Sequence, residues 1–110
     1  MQISKQVLID VSEDASNSTG VKTDGLLLSG IVFPTGMVGA NVTFDFSFDG
    51  TAWKDVVETD NTEVTYVVSA DNVVRVDPSG WAFASSGFLR VTSDGTETTD
   101  KAIQLIFKSS

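Results

Sequence analysis

Hydrophobic and polar residues alternate along much of this chain, most clearly in its middle third. Between Asn41 and Phe48 three phenylalanines alternate with polar residues, and the run ends at Asp49-Gly50. A period of two places alternate side chains on one face of a β-strand, and Asp-Gly is a frequent β-hairpin turn. The pattern therefore predicts a hairpin that joins a strand over Asn41–Phe48 to one over Trp53–Glu58.

Similar runs predict six further strands, which makes eight in total. They cover Gln2–Val11, Leu26–Phe33, Glu63–Ser69, Asn72–Val76, Gly87–Ser93 and Lys101–Lys108. No segment has the period of an amphipathic helix, and short strands separated by turns are typical of sandwiches and barrels. We therefore predict an all-β fold, an eight-stranded antiparallel β-sandwich that is jelly-roll-like. An immunoglobulin-like sandwich is the alternative, although the chain lacks the Cys–Trp–Cys pattern of that fold.

The first quarter of the chain combines an apolar strand with a polar loop. Within the first strand Lys5 interrupts an apolar face, and an inward-facing lysine is typical of an edge strand. Residues 12–24 are almost all polar, which predicts a long loop that is either solvated or an arm that orders on binding. We expect a single domain, with residues 1–25 as an N-terminal strand and arm and residues 26–110 as the sandwich. Removal of residues 1–11 should then weaken attachment to a partner and leave the sandwich folded.

Composition narrows the class of partner. The chain has 110 residues and a net charge of −8, and its seven basic residues form no stripe. Nucleic acids and anionic membranes are therefore not expected partners, because both are bound through clustered lysine and arginine. We expect no signal peptide at the N-terminus, and no apolar run approaches the ~20 residues that a membrane-spanning helix needs.

The reactive side chains argue against an enzyme. The chain has no histidine and no cysteine, which excludes catalytic triads and metal sites built from imidazole or thiolate ligands. Asp45–Gly50 resembles the start of a calcium loop, but Val56 occupies the position of the final bidentate acid. A carboxylate pair remains formally possible. However, many acids lie at turns and are expected to cap nearby backbone amides, namely Asp49, Asp60, Asp71, Asp94 and Asp100. We expect no catalytic residue, metal or cofactor.

Two tryptophans are candidate contacts for a ligand. Trp53 is predicted to pack over Phe46 or Phe48, whereas Trp81 lies in a predicted loop, Pro78–Ser86, and is expected to close one end of the sandwich. An exposed Trp81 would favour a carbohydrate-binding module, and a buried one would count against it. The first strand is a second candidate, because an edge strand can pair with a strand of a partner. The predicted partner-binding residues are Ile3, Lys5, Val7, Trp81 and Phe83.

The order of these strands and turns resembles that of small virion proteins of tailed phages. The resemblance covers most of residues 26–108 and is carried by TFDFSFDGTAWKDV, VVRVDPSGWAF and GFLRVTSDGTETTDKAIQLIFK. In particular, the chain is similar to jelly-roll-like capsid decoration (cement or staple) proteins of short-tailed phages. The resemblance implies no catalytic residue.

This resemblance implies a location and a partner. The protein would be made in the host cytoplasm and would bind the exterior of the head. There it would bridge subunits of the major capsid protein and so stabilise the shell. It would do so as a homo-oligomer, for which we favour a dimer over a trimer. A carbohydrate-binding β-sandwich module and a tail or neck component of the virion are the alternatives.

Overall fold

The computed structural model describes residues 2–110, which form nine β-strands and one 3₁₀ helix. The strands are β1 (Gln2–Ile9), β2 (Val21–Lys22), β3 (Leu26–Val32), β4 (Asn41–Ser47), β5 (Lys54–Asp55), β6 (Thr65–Val67), β7 (Val73–Arg75), β8 (Phe88–Ser93) and β9 (Lys101–Ser109). The 3₁₀ helix is Pro78–Ala84. Over these residues, no helix has the length and apolar character needed to cross a membrane.

The strands form two antiparallel sheets. The first sheet has the order β1-β9-β3-β7, and the second has the order β2-β8-β4-β5. Strand β6 also pairs with β4, next to residues 41–43, whereas β5 pairs with residues 45–46. Strands β5 and β6 therefore act as one interrupted strand on the same edge of β4.

The connectivity is that of a jelly roll. Strand β1 pairs with β9, β2 with β8, β3 with β7, and β4 with β5 and β6. These nested pairs correspond to one long hairpin, which is rolled up so that β3 also meets β9 and β4 meets β8. Counting β5 and β6 together gives the eight strands of this architecture, and the predicted all-β, jelly-roll-like sandwich is confirmed. An immunoglobulin-like sandwich would instead pair its first two strands.

The core lies between the two sheets and follows the alternation seen in the sequence. On β4, Val42 and Phe44 are completely buried, and on β9 the same holds for Ile103, Leu105 and Phe107. The residues between them point to the outer face of each sheet, as the period of two requires.

The N-terminal strand is part of this core. Strand β1 is an edge strand, as predicted, but Val7 and Ile9 on it have no exposed surface. Loss of buried aliphatic side chains is costly, commonly by about 2–5 kcal/mol for each large side chain reduced to alanine. The burial of these two side chains argues against the expectation that the sandwich survives removal of residues 1–11.

Residues 12–24 are held against the sandwich rather than forming a separate arm. The Ser18 amide donates to Val91 O over 2.8 Å, and the Thr19 amide donates to Leu8 O over 2.8 Å. The segment also contains β2, which pairs with β8. It thus joins the edge of the first sheet to the second sheet.

The predicted loop after β7 contains the 3₁₀ helix. The side chain of Asp77 accepts a hydrogen bond from the Ser79 amide and caps the first turn. Pro78 occupies the first position, where its lack of an N–H costs nothing. The helix buries Trp81 against the core, so the predicted role of this tryptophan as an end plug is confirmed.

Four of the five predicted turn carboxylates, all except Asp71, divide into two groups. Asp49 and Asp60 accept hydrogen bonds from amides two or three residues further along, as predicted. Asp94 and Asp100 instead accept from distant backbone, at the start of β4 and at Val11. The second pair therefore holds separate parts of the chain together rather than shaping only its own turn.

Candidate partner-binding site

An exposed apolar patch lies at the end of the sandwich where β4 leads into β5. Phe48, Val57 and Phe83 are exposed over 79%, 43% and 54% of their surfaces. With Phe46 they line a groove of about 430 Å³, and the charged residues Lys54 and Asp55 also belong to its lining. The ring centroid of Phe46 lies 5.0 Å from that of Phe48 and 5.9 Å from that of Phe83. We call Phe46, Phe48, Val57 and Phe83 the aromatic patch. Contiguous apolar surface of this kind is typical of interaction sites.

The patch is a consequence of the strand period. Phe44, Phe46 and Phe48 point to the same face of the second sheet, and their exposed fractions rise from 0% through 8% to 79%. Beyond β5 the chain leaves the sheet in a small hairpin, in which Val57 pairs with Glu63. The aromatic face of β4 therefore extends beyond the residues that cover it, and Phe48 at its end is exposed to solvent.

The 3₁₀ helix covers the inner part of this face. The Trp81 ring lies 4.8 Å from that of Phe44, and Phe83 stacks on Trp81 at 5.6 Å. Trp81 is buried in the core, and Phe83 packs one face of its ring against it at the surface. A partner would thus meet a preformed apolar surface, which lowers the entropy lost on binding.

A pocket of about 340 Å³ adjoins the patch. Its walls include the rings of Tyr66, Trp81 and Phe83 and the carboxylate residues Glu58 and Asp77, and no lysine or arginine lines it. We call it the acidic aromatic pocket. Its lining shares three side chains with that of the groove: Val56, Val57 and Phe83.

The carboxylates make this pocket electronegative. Burial raises the pKa of Tyr66; its hydrogen bond with Trp81 opposes that shift, and the charges of Glu58 and Asp77 add to it. The Trp81 Nε1–H donates to the Tyr66 hydroxyl over 3.1 Å. Over residues 2–110 the ion pairs are Lys5–Asp24 and Arg90–Asp45, so neither pocket carboxylate is neutralised by a cation.

A different polar cluster lies on the outer face of the second sheet. Arg90 Nε donates to Asp45 Oδ2 over 2.8 Å, and its guanidinium lies 4.7 Å from the centre of the Trp53 ring. The prediction that Trp53 packs over Phe46 or Phe48 is therefore wrong, because Trp53 lies on the opposite face of the sheet. Burial raises the pKa of Asp45; Arg90 lowers it, and the neighbouring Asp55 raises it.

This outer cluster offers little to a ligand. Arg90 covers a face of Trp53 that a sugar ring would need for stacking, and it partly neutralises Asp45. In the part of the chain that the structure describes, no group of three or more acidic, histidine or cysteine side chains is placed to hold a metal ion.

The structure separates the predicted partner-binding residues. Phe83 belongs to the aromatic patch, whereas Trp81 is only 4% exposed and supports the patch from below. Val7 is completely buried and is not available to a partner. Ile3 and Lys5 are partly exposed on β1, in the other sheet, and line neither the groove nor the pocket.

Several residues of the site were not singled out from the sequence. Phe48 carried a local signal, because it is the last apolar residue before the Asp-Gly turn. Asp77 carried another, since Asp before Pro is a typical start of a helical turn. No local signal marked Val57, Glu58 and Tyr66, because they lie next to Trp81 only as a result of the hairpin after β5.

Comparison with models of known protein families and with curated protein sequences finds no match for this chain. The function proposed below therefore rests on the fold, on the geometry of these surfaces and on the resemblance of the strand and turn motifs.

Proposed function

We propose that this protein is a structural component of a phage virion that decorates the outside of the head. In this role it bridges neighbouring subunits of the major capsid protein and stabilises the shell. The aromatic patch is the observation that carries the proposal, because it gives a rigid, acidic jelly roll one apolar surface suited to docking on another protein. The motif resemblance supports the same role.

The binding mechanism needs no catalytic chemistry. Covering an exposed phenylalanine contributes about 1.5–3 kcal/mol, from about 25 cal/mol per Å² of apolar area removed from water. Many copies on one shell would add effective affinity without new contacts. Binding to the assembled shell and not to free subunits would stabilise the shell by mass action. We retain the proposal of a homo-oligomer, with a dimer favoured.

The carbohydrate-binding alternative has less support. Trp81 is 4% exposed, and Arg90 lies across the ring of Trp53. Neither tryptophan therefore presents the open ring face that stacks on a sugar.

Co-sedimentation with mature heads stripped of this protein tests the proposal. We expect saturable binding at a fixed ratio to capsid subunits, and no binding to immature shells. The ratio would also give the number of copies per symmetry axis. Failure of the wild-type protein to bind heads would overturn the proposal, and tail fractions would then be tested.

A pair of matched variants tests the role of the patch. Phe48→Ser/Phe83→Ser should weaken head binding at least about tenfold, because two exposed apolar contacts are lost. Val67→Ser/Val73→Ser changes two valines that are exposed by 70% and 58% outside the patch, and it should bind like the wild type. Equal weakening by both variants would contradict docking through the patch.

A further inference from the structure

We propose that the protein segment docking on the aromatic patch presents a lysine or arginine, whose side chain enters the acidic aromatic pocket. An apolar side chain of the same segment fills the neighbouring groove. This inference rests on the proposed function only in that the patch binds another protein. It adds the chemistry of that partner: a basic residue next to an apolar one.

The two cavities are close enough for one segment to reach both. The groove holds Phe46 and Phe48, the pocket holds Tyr66 and Trp81, and Phe83 stands between them as part of both linings. Val56 and Val57 complete this shared wall. A short stretch of backbone lying along the wall would direct neighbouring side chains into the two cavities.

The chemistry of the pocket selects a cation. Glu58 and Asp77 bring negative charge to a site with no lysine or arginine in its lining. Phe83 is exposed and Tyr66 is half-buried, so their rings, unlike that of Trp81, can contact a cation, and arginine also stacks on aromatic rings with its planar guanidinium. An anionic group would be repelled there, and a neutral one would form no ion pair with either carboxylate.

The charge of the whole molecule disfavours a second copy as the occupant. Each chain carries a net charge of −8, so two copies repel one another unless a local contact outweighs this. A basic segment on a different protein is attracted by the same charge, which raises its rate of association.

Two dipeptides test the inference without knowledge of the partner. Acetyl-Leu-Arg-amide should shift the NMR signal of the Trp81 indole N–H in a saturable way. It should bind at least about fivefold more tightly than acetyl-Leu-Gln-amide. A partly exposed ion pair together with a cation–π contact raises affinity by about this factor. The ratio of the two affinities should decrease at high salt, since exposed charges are screened.

Glu58→Gln/Asp77→Asn should abolish the advantage of the arginine peptide and leave the glutamine peptide unchanged. Asparagine still caps the 3₁₀ helix, so the fold of this end is preserved. The control variant, Glu13→Gln/Asp71→Asn, removes the same two charges from exposed positions outside the pocket and should keep the preference. Equal binding of the two dipeptides to the wild type, or equal effects of the two variants, would overturn the inference.

Head binding by the same variants separates this inference from the proposed function. Heads that bind wild-type and Glu58→Gln/Asp77→Asn protein equally well would overturn the pocket assignment and leave decoration intact. Peptide discrimination without any head binding would support the pocket and overturn decoration.

Discussion

Glu97 is the carboxylate with the lowest exposure among residues 2–110, at 2%. It accepts hydrogen bonds from the amides of Val38 and Gly39 over 2.8 and 2.9 Å, and from the Ser93 hydroxyl over 2.8 Å. A β-carbon at Gly39 would lie 2.0 Å from the Ser93 oxygen, so only glycine allows this close approach. Burial raises the pKa of Glu97, but the donated hydrogen bonds outweigh it and lower the pKa below its usual value.

Glu97→Gln should therefore destabilise the fold. The glutamine NH₂ group would face backbone donors that need an acceptor, and an unsatisfied buried donor costs about 1–3 kcal/mol. Urea unfolding gives the change in free energy. Glu13→Gln, at an exposed position, is the control and should change stability by less than about 0.5 kcal/mol. Identical unfolding midpoints for the two variants would contradict the role assigned to Glu97.

At the scale of elements, β1 is an edge strand whose outer side is partly open. Leu8 bonds outward to Thr19, and the strand period gives Ser4 and Gln6 the same outward orientation. No strand pairs with that side of Ser4 or Gln6 within residues 2–110. Lys5 spans from this edge to the second sheet, where its ammonium group donates to Lys22 O over 2.6 Å and to Asp24 over 2.5 Å.

Lys5→Val should increase self-association more than it lowers stability. The ion pair with Asp24 is exposed, and such pairs contribute about 0–1 kcal/mol. Removing the charge, however, leaves an apolar edge with free backbone donors and acceptors, which favours edge-to-edge pairing. Sedimentation velocity over a range of concentrations measures this, with Lys108→Val as the control. A Lys5→Val protein that self-associates no more than the wild type would show that Lys5 does not guard the edge.

The elements also show which features local sequence can predict. The long strands were predictable, because apolar and polar residues alternate along β4, and along β9 every second residue from Lys101 to Phe107 is buried. Strand β2 has only two residues and exists because β8 lies beside it, so no local pattern marks it. Trp53 was misplaced for the same reason, since Arg90, which it contacts, lies on a distant strand.

The residues of the site also divide into those that local sequence could predict and those that it could not. Phe83 was predicted as a partner contact from its loop position, and the structure places it in the aromatic patch. The acidic aromatic pocket could not be predicted, because Glu58 and Asp77 come together only when the hairpin after β5 packs beside the 3₁₀ helix. Spacing along the chain carries no information about such a contact.

At the scale of the whole molecule, many carboxylates share one electrostatic property. Their pKa values are lowered, mainly by hydrogen bonds from backbone and side-chain donors. This group consists of Asp14, Asp24, Asp49, Asp60, Asp94 and Glu97. A carboxyl with a lower pKa in the folded state stabilises the fold above its unfolded pKa, and this contribution is lost as pH falls.

The free energy of unfolding should therefore decrease as the pH falls below about 5, where unfolded carboxyls begin to bind protons. Urea titrations at a series of pH values measure this slope. A free energy that stays constant from neutral pH to well below that point would contradict the lowered pKa values.

Asp45 should act in the opposite sense. Its pKa is raised above 3.8, so the folded state binds the proton more tightly than the unfolded chain does. Its contribution to stability is then largest at low pH and decreases as the pH rises from 3.8 to the folded pKa. Asp45→Asn, which still offers Arg90 an acceptor, removes this opposing contribution. The acid-induced loss of stability should consequently be steeper in this variant.

The pairing of β1 with β9 also affects how the chain emerges from the ribosome. Roughly 90 residues separate these neighbouring strands, and translation at about 5–20 residues per second needs roughly 5–20 s to produce them. During that interval the backbone edge of β1 that pairs with β9 has no partner strand. The first sheet is therefore completed only after translation of the last strand. Until then the nascent chain has to avoid aggregation, either by itself or bound to chaperones.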